Sequence, residues 1–96
     1  MPVASLLQDK REAILSLAAR HGVRNVRIFG SAARGDTGPD SDFDFLVDLD
    51  ADRSLLDLGG LLMDLRELLE REVDIVTERS LHWYIRDRIL REAVPL

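Results

Sequence analysis

The chain has 96 residues, 46% of them apolar, and no Cys. That length supports a single domain burying roughly 65% of its unfolded surface. The lack of Cys excludes disulfides, thiolate zinc centres and cysteine nucleophiles. Thirteen basic residues against eighteen acidic ones leave a net charge of −5, which argues against a large nucleic-acid footprint. Met1-Pro2-Val3-Ala4 leads into charged sequence rather than a signal core, and no apolar run approaches the ~18 residues of a membrane span. The expectation is a soluble cytoplasmic protein.

In chain order, Ser5 with Gln8 reads as a capping box opening a helix. Leu7, Ile14, Leu17 and Ala18 give that helix its apolar face, and Gly22 suits its exit. Val23 to Phe29 is short and β-branched, a strand ended by Gly30. Ser31-Ala32-Ala33-Arg34 is compatible with one helical turn, and Gly35 to Ser41 is dense in turn residues. Asp42 to Asp48 alternates cleanly as a strand. Ser54 and Asp57 cap a further helix whose stripe is Leu58, Leu61, Leu62, Leu65, Leu68 and Leu69. Gly59-Gly60 weakens its first turns by about 1 kcal/mol per glycine, marking either close packing or a late helix start. Val73 to Thr77 is a third strand, and Leu81 to Ala93 a closing helix with Ile85, Ile89 and Leu90 inward. The predicted order is αβ(α)βαβα, one α/β layer sandwich over residues 1–96 with a short mixed three-stranded sheet.

Acidic residues crowd the centre: between Asp36 and Asp57 eight Asp stand against Arg53 alone. In the middle strand, alternation sends Asp42 and Asp44 to one face, about 7 Å apart, and Phe43, Phe45 and Val47 to the other. Two carboxylates on one face of an apolar strand raise each other's pKa unless a cation intervenes. Mg²⁺ is suited to that place, being hard and shared between carboxylates, water and substrate phosphates. Gly30-Ser31, where a strand turns into a short helix, aims backbone N–H groups beyond the strand end, an anion-binding geometry. Phosphate cradle and carboxylate pair together are the parts that nucleotidyl transfer requires. Asp74, in the third strand, completes a trio if it shares the face of Asp42 and Asp44. Three carboxylates hold two metal ions, and Asp74 is then the candidate to take the proton of an acceptor hydroxyl.

Gly30-Ser31, ten intervening residues and Asp42-x-Asp44 resemble the signature of the DNA polymerase β-type nucleotidyltransferase superfamily. The spaced pattern alone arises by chance on the order of once in a thousand such chains. The fuller string from Phe29 to Asp36, then Ser41 to Val47, with Val73-Asp74-Ile75-Val76 later, is similar to the minimal nucleotidyltransferase branch that includes the MntA-type antitoxins. The resemblance implies that Gly30 and Ser31 hold the triphosphate, that Asp42 and Asp44 bind both Mg²⁺ ions, and that Asp74 binds the catalytic ion and serves as base. Arg34, in the Ala-Arg-Gly-Asp string, contacts phosphate or locks the loop. It further implies ATP as substrate and a HEPN-type helical toxin as partner, silenced by transfer of AMP to a tyrosine hydroxyl with release of pyrophosphate.

The shortness of the chain leaves no room for an acceptor-binding domain, so the acceptor is expected from a partner protein or a second copy. Two alternatives stand beside this reading: a non-catalytic antitoxin that neutralises its partner by covering it, and nucleotidyl transfer to a small hydroxylated molecule. His21 reads as favourable pairing with a helix C-terminus, and His82 as a surface residue. Trp83 and Tyr84 are expected beneath the last helix, with a partner-binding role as the lesser alternative. Arg86, Arg88 and Arg91 read as a solvated face.

Overall fold

The structure is a computed structural model that describes residues 5–35 and 42–96. The turn-rich segment from Asp36 to Ser41, with Asp36 and Asp40, lies outside the described residues, as do Met1 to Ala4.

Three strands form where β-branched and alternating residues predict them: β1 (Val23–Phe29), β2 (Phe43–Leu49) and β3 (Val73–Thr77). A fourth, β4 (Val94–Pro95), corrects the expected three-stranded sheet to four, in the order β3-β2-β1-β4. Two residues ending in Pro give no periodicity to read. Pro95 has no N–H to donate and is tolerated because β4 lies on an edge. There it pairs antiparallel with β1, and the Leu96 N–H bonds the Val26 carbonyl at 3.0 Å. The sheet is mixed, as predicted: β1 and β2 are antiparallel, while β2 and β3 are parallel. A parallel pair needs a crossover, and the helix α4 (Leu55–Leu69) supplies it.

The opening helix is in two pieces, α1 (Ser5–Asp9) and α2 (Arg11–Arg20). Lys10 at φ −99°, ψ 8° distorts the run, yet the Lys10 N–H still bonds the Leu6 carbonyl at 3.0 Å. The Ile14 N–H likewise reaches the Lys10 carbonyl at 2.9 Å, so the helix is kinked rather than ended. The single turn α3 (Ser31–Arg34) follows β1, and α5 (Trp83–Glu92) follows a 3-10 turn at Glu78–Ser80.

Ser54 and Asp57 form the predicted capping box: the Ser54 hydroxyl accepts from the Leu56 N–H, and the Asp57 carboxylate accepts from the Ser54 N–H at 2.9 Å. The helix begins at Leu55, so the glycine pair does not delay it. Gly60 is a close-packing position instead. A Cβ there would stand 2.8 Å from the His21 ring, whereas at Gly59 it would meet nothing within 4 Å. His21 caps the end of α2 and also bonds Asp64 through Nε2 at 2.8 Å, a cross-helix contact beyond its expected pairing with the helix end.

Phe43, Phe45 and Val47 of β2 and Val26 and Ile28 of β1 form one buried cluster with Leu7, Ile14, Leu61, Leu65 and Leu69. One face of the sheet is therefore sealed by α1, α2 and α4. Leu46 and Ile89 are buried outside that cluster. By alternation Leu46 shares the face of Asp44, which leaves that face partly apolar around the carboxylates. Among the described residues no helix is long and apolar enough to cross a membrane.

Candidate active site

Asp44 is the second residue of β2, and the parallel register sets Asp74 of β3 directly beside it. Laterally paired residues share a face, so the two carboxylates rise from the same side of the sheet on strands about 4.8 Å apart. Asp42 stands one residue ahead of β2 and is close enough for its charge to act on Asp44. Partial burial raises the pKa of Asp44 most, with the charges of Asp74 and then Asp42 adding to the effect. Among the described residues no basic side chain forms an ion pair with any of the three.

On the other side of Asp44 lies the end of β1. Phe29 is its antiparallel neighbour, and Gly30 turns the chain away at φ 71°, ψ −151°. A Cβ at Gly30 would stand 2.5 Å from Asp44 Oδ2, and its positive φ strains any other residue. Glycine is required here because backbone and carboxylate share one space. Gly30 contributes no side-chain cap to α3, whose first residue is the half-buried Ser31. Arg34, in the last turn of α3, is exposed, with Nη1 4.0 Å from Glu92 Oε2. That contact ties α3 to the end of α5, and no spacing in the sequence could have foretold it.

All three grouped acids are oxygen donors, which suits a hard divalent cation rather than zinc or copper. Among the described residues no three acidic or histidine side chains are already gathered into a metal cage. The donor set fits Mg²⁺: a cation would offset the repulsion that Asp74 and Asp42 exert on Asp44.

A cavity of about 740 Å³ opens at the other end of the sheet, where β2 and β3 finish, with Asp50, Arg53, Leu58, Thr77 and Arg79 among its lining. None of the grouped carboxylates lines it. Several of its charged residues are already paired, Arg24 with Asp50 at 2.8 Å and Arg53 with Asp57 at 3.2 Å.

Trp83 and Tyr84 correct the sequence expectation. They are 85% and 66% exposed at the start of α5, with Tyr84 stacked on His82 at 5.4 Å. They precede the partly buried Ile85 and the buried Ile89. Arg86, Arg88 and Arg91 are exposed as expected.

The family described as "Nucleotidyltransferase domain" matches residues 10–96. Protein adenylyltransferase MntA of Thermococcus cleftensis is 40% identical over 97 residues, covering 96% of this chain and 98% of its own length. MJ0435 of Methanocaldococcus jannaschii, a candidate protein adenylyltransferase, is 42% identical over 90 residues, covering 94% of this chain and 97% of its own. A solved candidate minimal nucleotidyltransferase superposes with a TM-score of 0.85 at 52% identity, covering 94% of this chain and 92% of that one. A toxin–antitoxin structure solved with AMP-PNP shares the fold at a TM-score of 0.74 and 21% identity, over 88% of this chain and 69% of that one. With its glycine-backed carboxylates and this match over residues 10–96, the chain belongs to the nucleotidyltransferase domain family.

Proposed function

We propose that this chain is a Mg²⁺-dependent protein adenylyltransferase that moves AMP from ATP to a tyrosine hydroxyl of a HEPN-type toxin, in the cytoplasm, and so acts as its antitoxin. The observation that carries the chemistry is the side-by-side placement of Asp44 and Asp74 with Gly30 pressed against Asp44. The choice of a protein acceptor is supported by the relatives, whose names describe protein adenylyltransferases. The fold neighbour that is a toxin–antitoxin structure solved with AMP-PNP is consistent with the role.

In this reading Asp42, Asp44 and Asp74 would hold two Mg²⁺ ions, which would supply charge neutralisation for the transfer. Gly30 and Ser31 hold the triphosphate by close backbone approach and a hydroxyl donor, with Arg34 at the rim. The acceptor oxygen forms a bond to the α-phosphorus, the bond between the α- and β-phosphates breaks, and pyrophosphate leaves. Asp74, exposed at the sheet edge, takes the hydroxyl proton. Catalysis is positioning and electrostatics, with little covalent work for the protein.

The test is incubation with the protein encoded beside it, ATP and Mg²⁺, followed by intact-mass analysis. An AMP-sized increment on the partner, lost in Asp44→Asn, supports the reading. Neutralisation of the partner that survives Asp42→Ala with Asp44→Ala, with no increment, would establish covering rather than catalysis.

A further inference from the structure

The sheet has two edges, and the chain treats them differently. The outer side of β1 is filled by β4 and by the Leu96 N–H. Among the described residues the outer side of β3 has no strand beside it.

The register says which groups that edge presents. The Phe43 N–H bonds the Glu72 carbonyl at 3.0 Å, which starts a parallel ladder in which Asp74 and Val76 turn their backbone groups toward β2. Val73, Ile75 and Thr77 therefore turn theirs outward. Thr77 is already satisfied: its N–H bonds Ser80 Oγ at 3.1 Å, and its carbonyl accepts from the same hydroxyl at 2.8 Å. Among the described residues Val73 and Ile75 make no backbone hydrogen bond outside the β2–β3 ladder. The open stretch is thus two residues long, and it brackets Asp74.

Exposed edges are templates for pairing, and proteins usually blunt them. Here the far end is blunted by Ser80, while the outward groups beside the carboxylates have no backbone partner among the described residues. We propose that the acceptor polypeptide docks on this edge as an extended, antiparallel segment, bonding the outward N–H and C=O groups of Val73 and Ile75. Strand addition of this kind draws affinity from main-chain hydrogen bonds. The docked residue opposite Asp74 then falls in the non-hydrogen-bonded pairing, the closer of the two, and on the same face of the sheet. A tyrosine side chain is longer than an aspartate, so its hydroxyl reaches over the Asp74 carboxylate rather than beside it. The acceptor class is therefore a hydroxyl-bearing side chain on locally extended backbone, not a tyrosine held within a helix.

This inference rests on the adenylyltransferase reading, and its test separates the two. Ile75→Pro removes an outward N–H that the inner ladder does not use, a substitution edge strands accept. With the protein encoded beside it as acceptor, Ile75→Pro is expected to raise the KM for that acceptor about tenfold or more, while binding of Mg²⁺-ATP stays at the wild-type level. Amide exchange by NMR on the wild-type protein gives a second measurement free of folding effects. The Ile75 amide exchanges quickly in the free enzyme and is slowed at least about tenfold by saturating acceptor, while Asp74 and Val76 are protected in both states. Wild-type KM in the proline variant, or unchanged exchange at Ile75, would overturn the docking mode and leave adenylyl transfer standing. Absence of transfer by the wild type would overturn both.

Discussion

At the scale of single residues, Asp44 decides the behaviour of the site. Burial and two neighbouring carboxylates raise its pKa. A carboxyl that binds its proton more tightly in the fold than in the unfolded chain weakens the fold as pH rises through that interval, and the cost is complete once it ionises. In chelator, Asp44→Asn is accordingly expected to melt no lower than wild type at pH 7, and its advantage should shrink on acidification toward pH ~4, near the ordinary Asp value. Thermal melting across pH checks this; a variant that melts lower at pH 7 in chelator would contradict it. In the proposed reaction the same substitution removes a metal ligand worth several kcal/mol at the transition state, so AMP transfer is expected to fall on the order of a thousandfold. Gly30→Ala should be as damaging to transfer for a steric reason, since its Cβ would meet Asp44 Oδ2 at 2.5 Å. Steady-state rates on refolded, monodisperse protein distinguish that loss from simple unfolding.

At the scale of elements, α4 offers a matched pair of tests. Gly59→Ala meets open space and should stabilise the fold by about 0.5–1 kcal/mol through helix propensity. Gly60→Ala gains the same propensity but drives a Cβ to 2.8 Å from the His21 ring, so it should lose that advantage or reverse it. Denaturant titration of both variants checks the contrast. Ser54→Ala removes the helix cap and should cost about 1 kcal/mol, a fall in Tm of about 4–8 °C for a domain of this size. Much of this level was legible beforehand. The strand bounds at Val23–Phe29 and Val73–Thr77 followed from β-branched runs, and the Ser54 cap from side-chain chemistry. What stayed hidden was non-local: the kink at Lys10, the His21 ring filling the notch at Gly60, and a two-residue β4 too short to carry a period.

At the scale of the whole molecule, topology sets two of the acids named from the sequence, Asp44 and Asp74, side by side. Asp44 and Asp74 are 30 positions apart and meet because α4 returns the chain for a parallel pairing in one register. A slip of one residue would put Asp74 on the sealed face, and the sequence alone did not exclude that. Its hydrophobic pattern argues against the slip, since Val73 packs in the core cluster and Ile75 against it. The expectation that failed, Trp83 and Tyr84 beneath the last helix, shows the converse. Aromatic character does not report which way a short helix is turned, and here Ile89 is the buried residue of α5 while Trp83 and Tyr84 face outward. Because both aromatics are exposed, Trp83→Ala and Tyr84→Ala should each change stability by less than about 0.5 kcal/mol, which chemical denaturation measures directly.

The central claim is that Asp44 and Asp74, on adjacent strands, and Asp42 just ahead of β2 bind a divalent ion together with a triphosphate. Calorimetric titration of ATP into the protein with and without Mg²⁺ tests it most directly. The account predicts saturable one-to-one binding that requires Mg²⁺ and is lost in both Asp44→Asn and Asp74→Asn. Equal affinity in either variant, or no Mg²⁺-dependent binding by the wild type, would contradict it.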